Sequence, residues 1–422
     1  MVASTDIKFF VHTNNNAPQL QNTYGSMINV LDACLVDGIN IGTVSSLTAS
    51  GKTVTATFGS AHNLMQYQVI KISGAAQAEF NDEHRILTVP NAQTVTFELA
   101  EAPSVTTATG TINASLPPLG WEKPFSSAHS SGTGGKAAYR SKNLLLPSRP
   151  FLRVVDELDP VYTATYAKFA KVGIVEDMAD INTILGVQAP YDPANPDKNW
   201  VGTGSGATVV NGWSRWYYTA SSEFGGSTSN DTSAQSAGNR SYVLVGSNDY
   251  FYIFPTATPA GIYALPYGFG AFDSVLDADT SAAFLSSTLN NNAANNVTNK
   301  QGYTGLVGNN GNQQICLQRP YNQIAVSVLA TALSLGVSSA VHSGSSDYVG
   351  SASLTSESYF APIFLNESIL RGKVKGLYWL FQNKPHAQHE TFTRNSDLYL
   401  AVMIAASSPG SPGQGQVICK IG

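Results

Sequence analysis

The chain has 422 residues, which is more than one small hydrophobic core needs and suits two or three domains. Charged residues make up only 12% and the formal net charge is −5, with 43% hydrophobic residues, so a disordered chain is excluded. No Lys/Arg-rich run stands out, so we expect no direct nucleic-acid binding.

Three cysteines, Cys34, Cys316 and Cys419, lie far apart in the sequence. No CxxC pair occurs, and an odd count argues against a disulfide framework. We therefore expect three reduced, mostly buried thiols and no zinc site.

Neither terminal nor internal segments predict membrane targeting. The N-terminus lacks a basic region followed by an apolar run, so we expect no secretory signal. The longest apolar-leaning run, Ile324–Val337, is shorter than the roughly 18 residues of a span and contains Ser and Thr. We expect no membrane insertion, and synthesis and folding in a cytoplasm.

The first forty residues predict a strand and then a short helix. Ile7–His12 is typical of an opening strand. In Ser26–Leu35 the apolar residues fall on one helical face. Gly38 follows and can adopt the left-handed conformation that ends a helix.

Residues 44–113 alternate apolar and polar side chains with period two, which predicts a small domain of half-buried strands. Val54, Ala56 and Phe58 share one face of such a strand, and Thr dominates the opposite faces. A turn is predicted over Asn81–His84, before a strand at Arg85–Val89. The flanking segments, Asp6–Gly42 and Gly120–Val155, have a similar kind of sequence and neither looks complete alone. We therefore interpret 44–113 as a module inserted into a larger β-rich body.

Several segments carry a family resemblance. They are Ser46–Thr48, Val54–Thr57, Ala61–Leu64, Val69–Ala75, Phe80–Asn81, Thr94–Phe97, Gly120–Phe125, Lys136–Ser141 and Leu370–Trp379. Together they resemble a β-module and its flanks in virion proteins of tailed bacteriophages, among them tail, fibre and baseplate components. The resemblance implies a structural subunit of the virion without a known enzymatic activity, made in a bacterial host, and it does not fix the position in the particle.

The remainder of the chain predicts further strands joined by long polar loops. A hairpin is predicted from the strands Ser241–Val245 and Asp249–Pro255, with Gly246–Asn248 as its turn. Ser221–Arg240 and the Asn-rich Ser287–Asn312 are predicted to be exposed loops. Further strands are predicted at Ile324–Ala330, Ser358–Leu365, Gly372–Leu380 and Asp397–Ala405, then a turn over Ser407–Gln416 and a short closing strand at Val417–Ile421.

These elements predict a mainly β fold with few short helices: a β-sandwich or barrel body with an inserted small β-module. The predicted divisions are 1–43 as the first part of the body, 44–113 as the module, and 114–422 as the remainder, in one or two subdomains.

Two strings suggest chemistry but favour ordinary structure. His386 and His389 follow Pro385 without the order of a zincin motif, so we interpret them as a polar loop. The acidic group Glu176, Asp177 and Asp180 lacks calcium-loop spacing, and nothing in the sequence demonstrates a catalytic carboxylate pair, so we interpret it as a solvated turn.

A glycine-rich string, Gly202–Gly206, lacks the Lys-Ser/Thr ending of a phosphate loop, so we interpret it as a flexible loop. We therefore expect no catalytic, cofactor-binding or metal-binding residues, no cofactor, and no enzymatic activity.

Three aromatic groups could stack on sugars. They are Trp213/Trp216/Tyr217/Tyr218, Tyr250/Phe251/Tyr252/Phe254 and Tyr378/Trp379/Phe381. In period-two strands half of these side chains point to a core, so core packing plus a subunit interface is favoured.

The sequence therefore predicts a structural component of a tailed-phage virion, in the tail or baseplate, whose partners are copies of itself and other virion proteins. Three alternatives stay open: a capsid or neck decoration protein, a tail protein that binds host-surface glycan, and a glycan hydrolase.

Overall fold

Antiparallel β-strands make up most of the described chain, which confirms the predicted fold class. The computed structural model describes residues 4–205, 211–222, 233–277, 279–289, 304–306, 314–323, 328–333, 360–380, 385–408 and 411–422. The strands, numbered in chain order, are β1 Lys8–Val11, β2 Ile39–Ser50, β3 Thr53–Phe58, β4 Val69–Ala75, β5 Asp82–Arg85, β6 Thr88–Asn91, β7 Thr94–Glu98, β8 Gly110–Leu116, β9 Trp121–Ala128, β10 Gly135–Ser141, β11 Phe151–Asp156, β12 Lys168–Met178, β13 Ile184–Ala189, β14 Ser214–Thr219, β15 Tyr242–Gly246, β16 Tyr250–Pro255, β17 Tyr267–Ala271, β18 Asp273–Ser274, β19 Ala283–Ser286, β20 Thr288–Leu289, β21 Ile315–Leu317, β22 Val328–Leu333, β23 Phe360–Glu367, β24 Ile369–Leu380, β25 Thr391–Arg394, β26 Asp397–Ser408 and β27 Ser411–Lys420.

Helical structure in the described residues is confined to three short pieces. Helix α1 covers Ser26–Leu31 and continues as a π-helix over Asp32–Asp37, and a single 3-10 turn lies at Ala78–Phe80. The predicted helix is thus confirmed. Gly38 ends it with φ 80° and ψ 175°, which is a positive φ outside the left-handed helical region. Within the described part of the chain, no helix has the length and apolar character to cross a membrane.

The segment predicted as an inserted module forms a sheet of its own. Its seven strands lie in the order β5-β4-β8-β2-β3-β7-β6. Ile39 pairs with Leu116, so the chain enters and leaves this sheet on neighbouring strands. Burial alternates along β3, with Val54, Ala56 and Phe58 buried, as the period of two predicts. The sheet extends beyond residues 44–113 at both ends.

One local prediction in the module is wrong. The stretch predicted as a turn, Asn81–His84, lies mostly in β5, which pairs with β4. Phe80 is fully buried and His84 stacks on Phe97, with 4.3 Å between ring centroids. These packing contacts hold a charged, turn-like sequence in an extended strand.

A second sheet forms from the middle of the chain. Its order is β20-β14-β12-β11-β10-β9, and β13 pairs with β12 beside this path. One face contributes Tyr139, Leu152 and Trp216 to the largest core of the molecule. The opposite face builds a smaller core around Phe151 and Trp200.

The third sheet is large and curled. Its strand order is β1-β15-β16-β17-β19-β21-β22-β23-β24-β27-β26-β25, and β18 pairs with β24. Strands from both ends of this path bury side chains in one core, which includes Val243 from β15 and Leu400 from β26. The Tyr252 hydroxyl crosses that core and donates to the Lys375 carbonyl at 2.7 Å. The sheet therefore curls around this apolar core as a half-barrel.

The largest core is continuous across all three sheets. Leu47 of the module, Leu152 of the second sheet and Phe251 of the large sheet belong to the same cluster of buried residues. All three cysteines are also buried and unpaired, as predicted. Burial raises the pKa of each thiol, in the case of Cys316 to about 12.

The N-terminal strand is held in place by the module. Gln68 is fully buried, and its amide nitrogen donates to the Phe9 carbonyl at 3.0 Å and to Asn14 Oδ1 at 2.9 Å. Its oxygen accepts from the Met65 amide at 2.8 Å. Arg85 adds hydrogen bonds to carbonyls of the same N-terminal segment. These contacts fix the module against β1, which itself pairs with β15.

The C-terminus differs from prediction. The stretch Ser407–Gln416, predicted as a turn, lies almost wholly in β26 and β27, which pair from Tyr399/Lys420 out to Ser408/Ser411. Backbone pairing with the neighbouring strand outweighs the turn propensity of Pro and Gly here. Half of the loop predicted at Ser221–Arg240 lies within the described residues, and most of residues 233–239 are exposed there, as predicted. Most of Ser287–Asn312 lies outside the described residues, but its described ends, 287–289 and 304–306, are buried and include β20, so the exposed loop is wrong there. Phe381 and the first part of the strand predicted at Ile324–Ala330 also lie outside the described residues.

Candidate interaction surface

The histidine string lies in the segment between β24 and β25. The His386 ring stacks on Phe392 with 4.2 Å between centroids, and its Nδ1 lies 3.2 Å from Glu390. His389 has a positive φ of 62°, and burial lowers its pKa to about 4. No group of three His, Cys, Asp or Glu side chains that could hold a metal occurs among the described residues.

The three acidic residues do not form the solvated turn that was predicted. Glu176 and Asp177 lie in β12, and only Asp180 is in the turn that follows. Arg319 contacts the Glu176 carboxylate through Nε at 2.8 Å and through Nη2 at 2.6 Å. Asp180 accepts from the Thr183 hydroxyl at 2.6 Å, and that hydrogen bond is the largest of the effects that lower its pKa. Glu176 is therefore engaged in an ion pair between sheets.

The glycine-rich string holds a buried ion pair in place. The Gly202 amide donates to Asp159 Oδ2 at 2.8 Å, and the same oxygen accepts from Lys171 Nζ at 2.9 Å. A Cβ on Gly202 would lie 2.4 Å from Asp159 Oδ1, so this position requires glycine. Gly206 lies outside the described residues.

The first two aromatic groups lie in the core, as favoured, but they bury both faces of their strands. In the third group Trp379 is buried and Tyr378 is half-buried. Every residue of β14, β15 and β16 is buried. On β16, Phe251 faces the large continuous core and Tyr252 faces the core inside the half-barrel. The sequence predicted one packed face only, because the covering layers come from distant parts of the chain.

Among the described residues, a loop that the sequence analysis passed over presents the two most exposed large apolar side chains. Residues 142–150, here called the leucine loop, connect β10 and β11. Leu144 is 78% exposed and Leu145 is 92% exposed. The loop is anchored at both ends, since Asn143 Nδ2 donates to Asp249 at 2.6 Å and the Ser148 hydroxyl donates to Gln318 at 2.8 Å. Three successive leucines between polar turns were the signal that could have revealed it.

An ionic cluster lies beside the leucine loop and connects four parts of the chain. Arg371 is fully buried; it donates to Asp279 at 2.9 Å, pairs with Glu367, and donates to the Arg319 carbonyl at 3.1 Å. Arg319 in turn pairs with Glu176. The cluster therefore joins β12, the segment between β18 and β19, the segment after β21 and the β23–β24 hairpin.

More exposed apolar side chains lie on these segments and on β13, which pairs with β12. They are Leu185, Val275, Tyr321, Ile369 and Leu370. We call these residues, together with the leucine loop, the docking face. Exposed apolar groups on a rigid frame are typical of protein–protein interfaces.

Comparison with known proteins identifies no family for this chain. No family model matches it, and no curated protein matches it. Among solved structures, the phage phi92 endosialidase matches across 91% of this chain and 51% of its own, with 11% sequence identity and a TM-score of 0.15. The chain thus spans about half the length of that protein. At this TM-score the likeness assigns neither a fold nor a function.

Proposed function

We propose that this chain is a structural subunit of a tailed-phage virion, placed in the tail or its distal baseplate. It acts by assembly with copies of itself and with neighbouring virion proteins. The observation that carries the proposal is the docking face, where two leucines project from a loop whose backbone is fixed by polar anchors. Burial of two such side chains stabilises an interface by roughly 3–6 kcal/mol before the costs of association.

Two further properties support a mechanical role. The low fraction of charged residues suits wide contacts between weakly charged surfaces. The largest core contains residues of all three sheets, so the module packs directly against the body. Segments of the sequence, from Ser46 to Trp379, also resemble those of phage virion proteins.

Cryo-electron microscopy of particles of the encoding phage tests the placement. We expect density for the three-sheet fold in a ring at the tail end, with the docking face against a neighbour. Density at the capsid or neck would instead assign a decoration role. Absence of the chain from purified particles, judged by peptide mass spectrometry, would overturn the virion proposal.

Substitution in the leucine loop tests the docking face. For Leu145→Ser we expect at least a tenfold loss of incorporation into particles, with the thermal unfolding of the isolated chain changed by less than about 0.5 kcal/mol. The matched control is Val105→Ser, an exposed apolar residue on the module away from the docking face. Equal incorporation of both variants would exclude the leucine loop from assembly.

A further inference from the structure

A polar cavity of about 420 Å³ opens on the outer face of the second sheet. Its wall includes side chains from β10, β11 and β12 and from the segment around Trp200. The volume falls within the roughly 300–1,000 Å³ range of small-molecule sites. The cavity is therefore large enough for a ligand of the size of one or two sugar residues.

The register of the sheet brings three cations to this wall. Lys136 of β10 pairs with Val155, and Val155 pairs with Lys171 of β12. Arg153 lies two residues before Val155, hence on the same face of β11. Lys136, Arg153 and Lys171 thus project together, although their sequence separations hide this.

Two of these cations already have close polar partners. Lys171 is held by Asp159 at 2.9 Å and by the Trp200 carbonyl at 2.7 Å. Lys136 donates to Asn182 Oδ1 at 2.9 Å, and Glu157 lies 3.8 Å from it.

Arg153 differs from both lysines. Its side chain is only 4% exposed, and its guanidinium lies over the Trp200 ring, 4.5 Å from the ring centroid. Nε donates to the Ile181 carbonyl at 3.0 Å, whereas the buried Nη1 has no hydrogen-bond partner among the described residues. Burial lowers the pKa of Arg153 to about 10, so the group is charged at neutral pH. A buried guanidinium with one hydrogen bond has unused capacity for an anion.

The carboxylates of the same cavity restrict what that anion can be. Glu157 and Asp197 also line the wall, and neither forms an ion pair with Arg153 within the described structure. They disfavour a multiply charged anion such as phosphate, but they accept hydrogen bonds from hydroxyl groups. A ligand with one negative charge and several hydroxyls satisfies both halves of the cavity.

We propose that this cavity binds a carboxylate-bearing sugar, with the carboxylate on Arg153 and Lys136 and the ring hydroxyls on Glu157, Asp197 and Asn182. The guanidinium fork matches a carboxylate in two parallel hydrogen bonds. The sugar is either a free sugar acid or one residue of an acidic polysaccharide, and both present the same group. The site is independent of the assembly role proposed above.

Calorimetric titration of the full chain tests the site with three probes of graded chemistry. D-glucuronate should bind, whereas D-glucose, which carries a hydroxymethyl group in place of the carboxylate, should bind at least about tenfold more weakly. Inorganic phosphate should not compete with glucuronate. A hyaluronan tetrasaccharide that binds more tightly than glucuronate would identify a polysaccharide as the source, and weaker binding would identify the free acid.

Variants separate binding from folding. Arg153→Lys keeps the charge but removes the fork, so it should weaken glucuronate binding about tenfold. Because Arg153 packs on Trp200, the thermal unfolding of the Arg153→Lys variant must be measured as well. Lys136→Gln, at the more exposed edge of the wall, serves as the second variant. Asn195→Asp, in the neighbouring segment outside this wall, is the control. Equal affinity for glucose and glucuronate, or no binding at millimolar glucuronate, would overturn the proposal. Unchanged glucuronate affinity in both Lys136→Gln and a correctly folded Arg153→Lys would also overturn it.

Discussion

Asp156 is a fully buried carboxylate that replaces the missing cap of helix α1. Gly25 occupies the N-cap position and offers no side chain, so Asp156 accepts from the amides of Met27 at 3.0 Å and Ile28 at 3.4 Å. The Tyr218 hydroxyl donates to its other oxygen at 2.6 Å. Burial nevertheless dominates these hydrogen bonds and raises the pKa of Asp156 to about 6.

This raised pKa makes folding stability depend on pH in a defined direction. The folded chain binds more protons than the unfolded chain between pH 3.8 and about 6, so this group lowers stability as pH rises through that window. The shift of roughly two pKa units corresponds to about 3 kcal/mol. Asp156→Asn removes the titration, and Tyr218 can still donate to the Thr23 carbonyl at 3.4 Å.

We therefore expect Asp156→Asn to gain stability relative to the wild type between pH 4.5 and pH 7.5, by up to about 3 kcal/mol. Urea unfolding at several pH values measures this difference. Asp177→Asn, an exposed carboxylate in β12, is the control. Parallel pH profiles for Asp156→Asn and the wild type would contradict the assignment.

At the scale of elements, Gln68 is a fully buried polar connection between the module and β1. Its loss would remove the side-chain hydrogen bonds that it forms with the Phe9 carbonyl and the Met65 amide. The Asn14 side chain would keep its bonds with the Val11 amide and the Asn63 carbonyl. Each buried orphan group costs about 1–3 kcal/mol. We expect Gln68→Leu to lower the free energy of unfolding by about 3 kcal/mol, measured by urea unfolding, whereas Gln93→Leu in an exposed turn should change it little. Equal effects of the two would show that the module and β1 are not coupled through Gln68.

Elements that follow from a local sequence pattern could be predicted. Burial of a strand by residues far away in the sequence could not. The hairpin of β15 and β16 follows from two apolar runs around a short polar turn, and the alternation in β3 follows from its own residues. Strands β14, β15 and β16 are buried on both faces, because residues far away in the sequence pack against them.

The same reasoning applies to the two candidate sites. The sequence contains the run of leucines, but the exposure of Leu145 depends on how distant segments pack around the loop and could not be predicted. The approach of Arg153 to Lys136 and Lys171 is set by the register of three strands, which a single sequence does not reveal.

At the scale of the whole molecule, the continuous core predicts cooperative unfolding. Leu47 of the module and Leu152 of the second sheet are both fully buried in that one cluster. Each change to Ala should cost about 2–5 kcal/mol and should shift one shared calorimetric transition. Two transitions, of which Leu47→Ala moves only one, would show that the module unfolds by itself.

The pairing of β1 with β15 joins residue Lys8 to Gly246. A ribosome adds roughly 5–20 residues per second, so the first strand waits on the order of ten to fifty seconds for its partner to emerge. During that interval β1 has unpaired backbone groups, and its own apolar residues Phe9 and Phe10 have no sheet to pack against. The chain is thus most prone to aggregate while it is being made, and its yield in a foreign host should depend on translation speed and on chaperones that shield nascent segments.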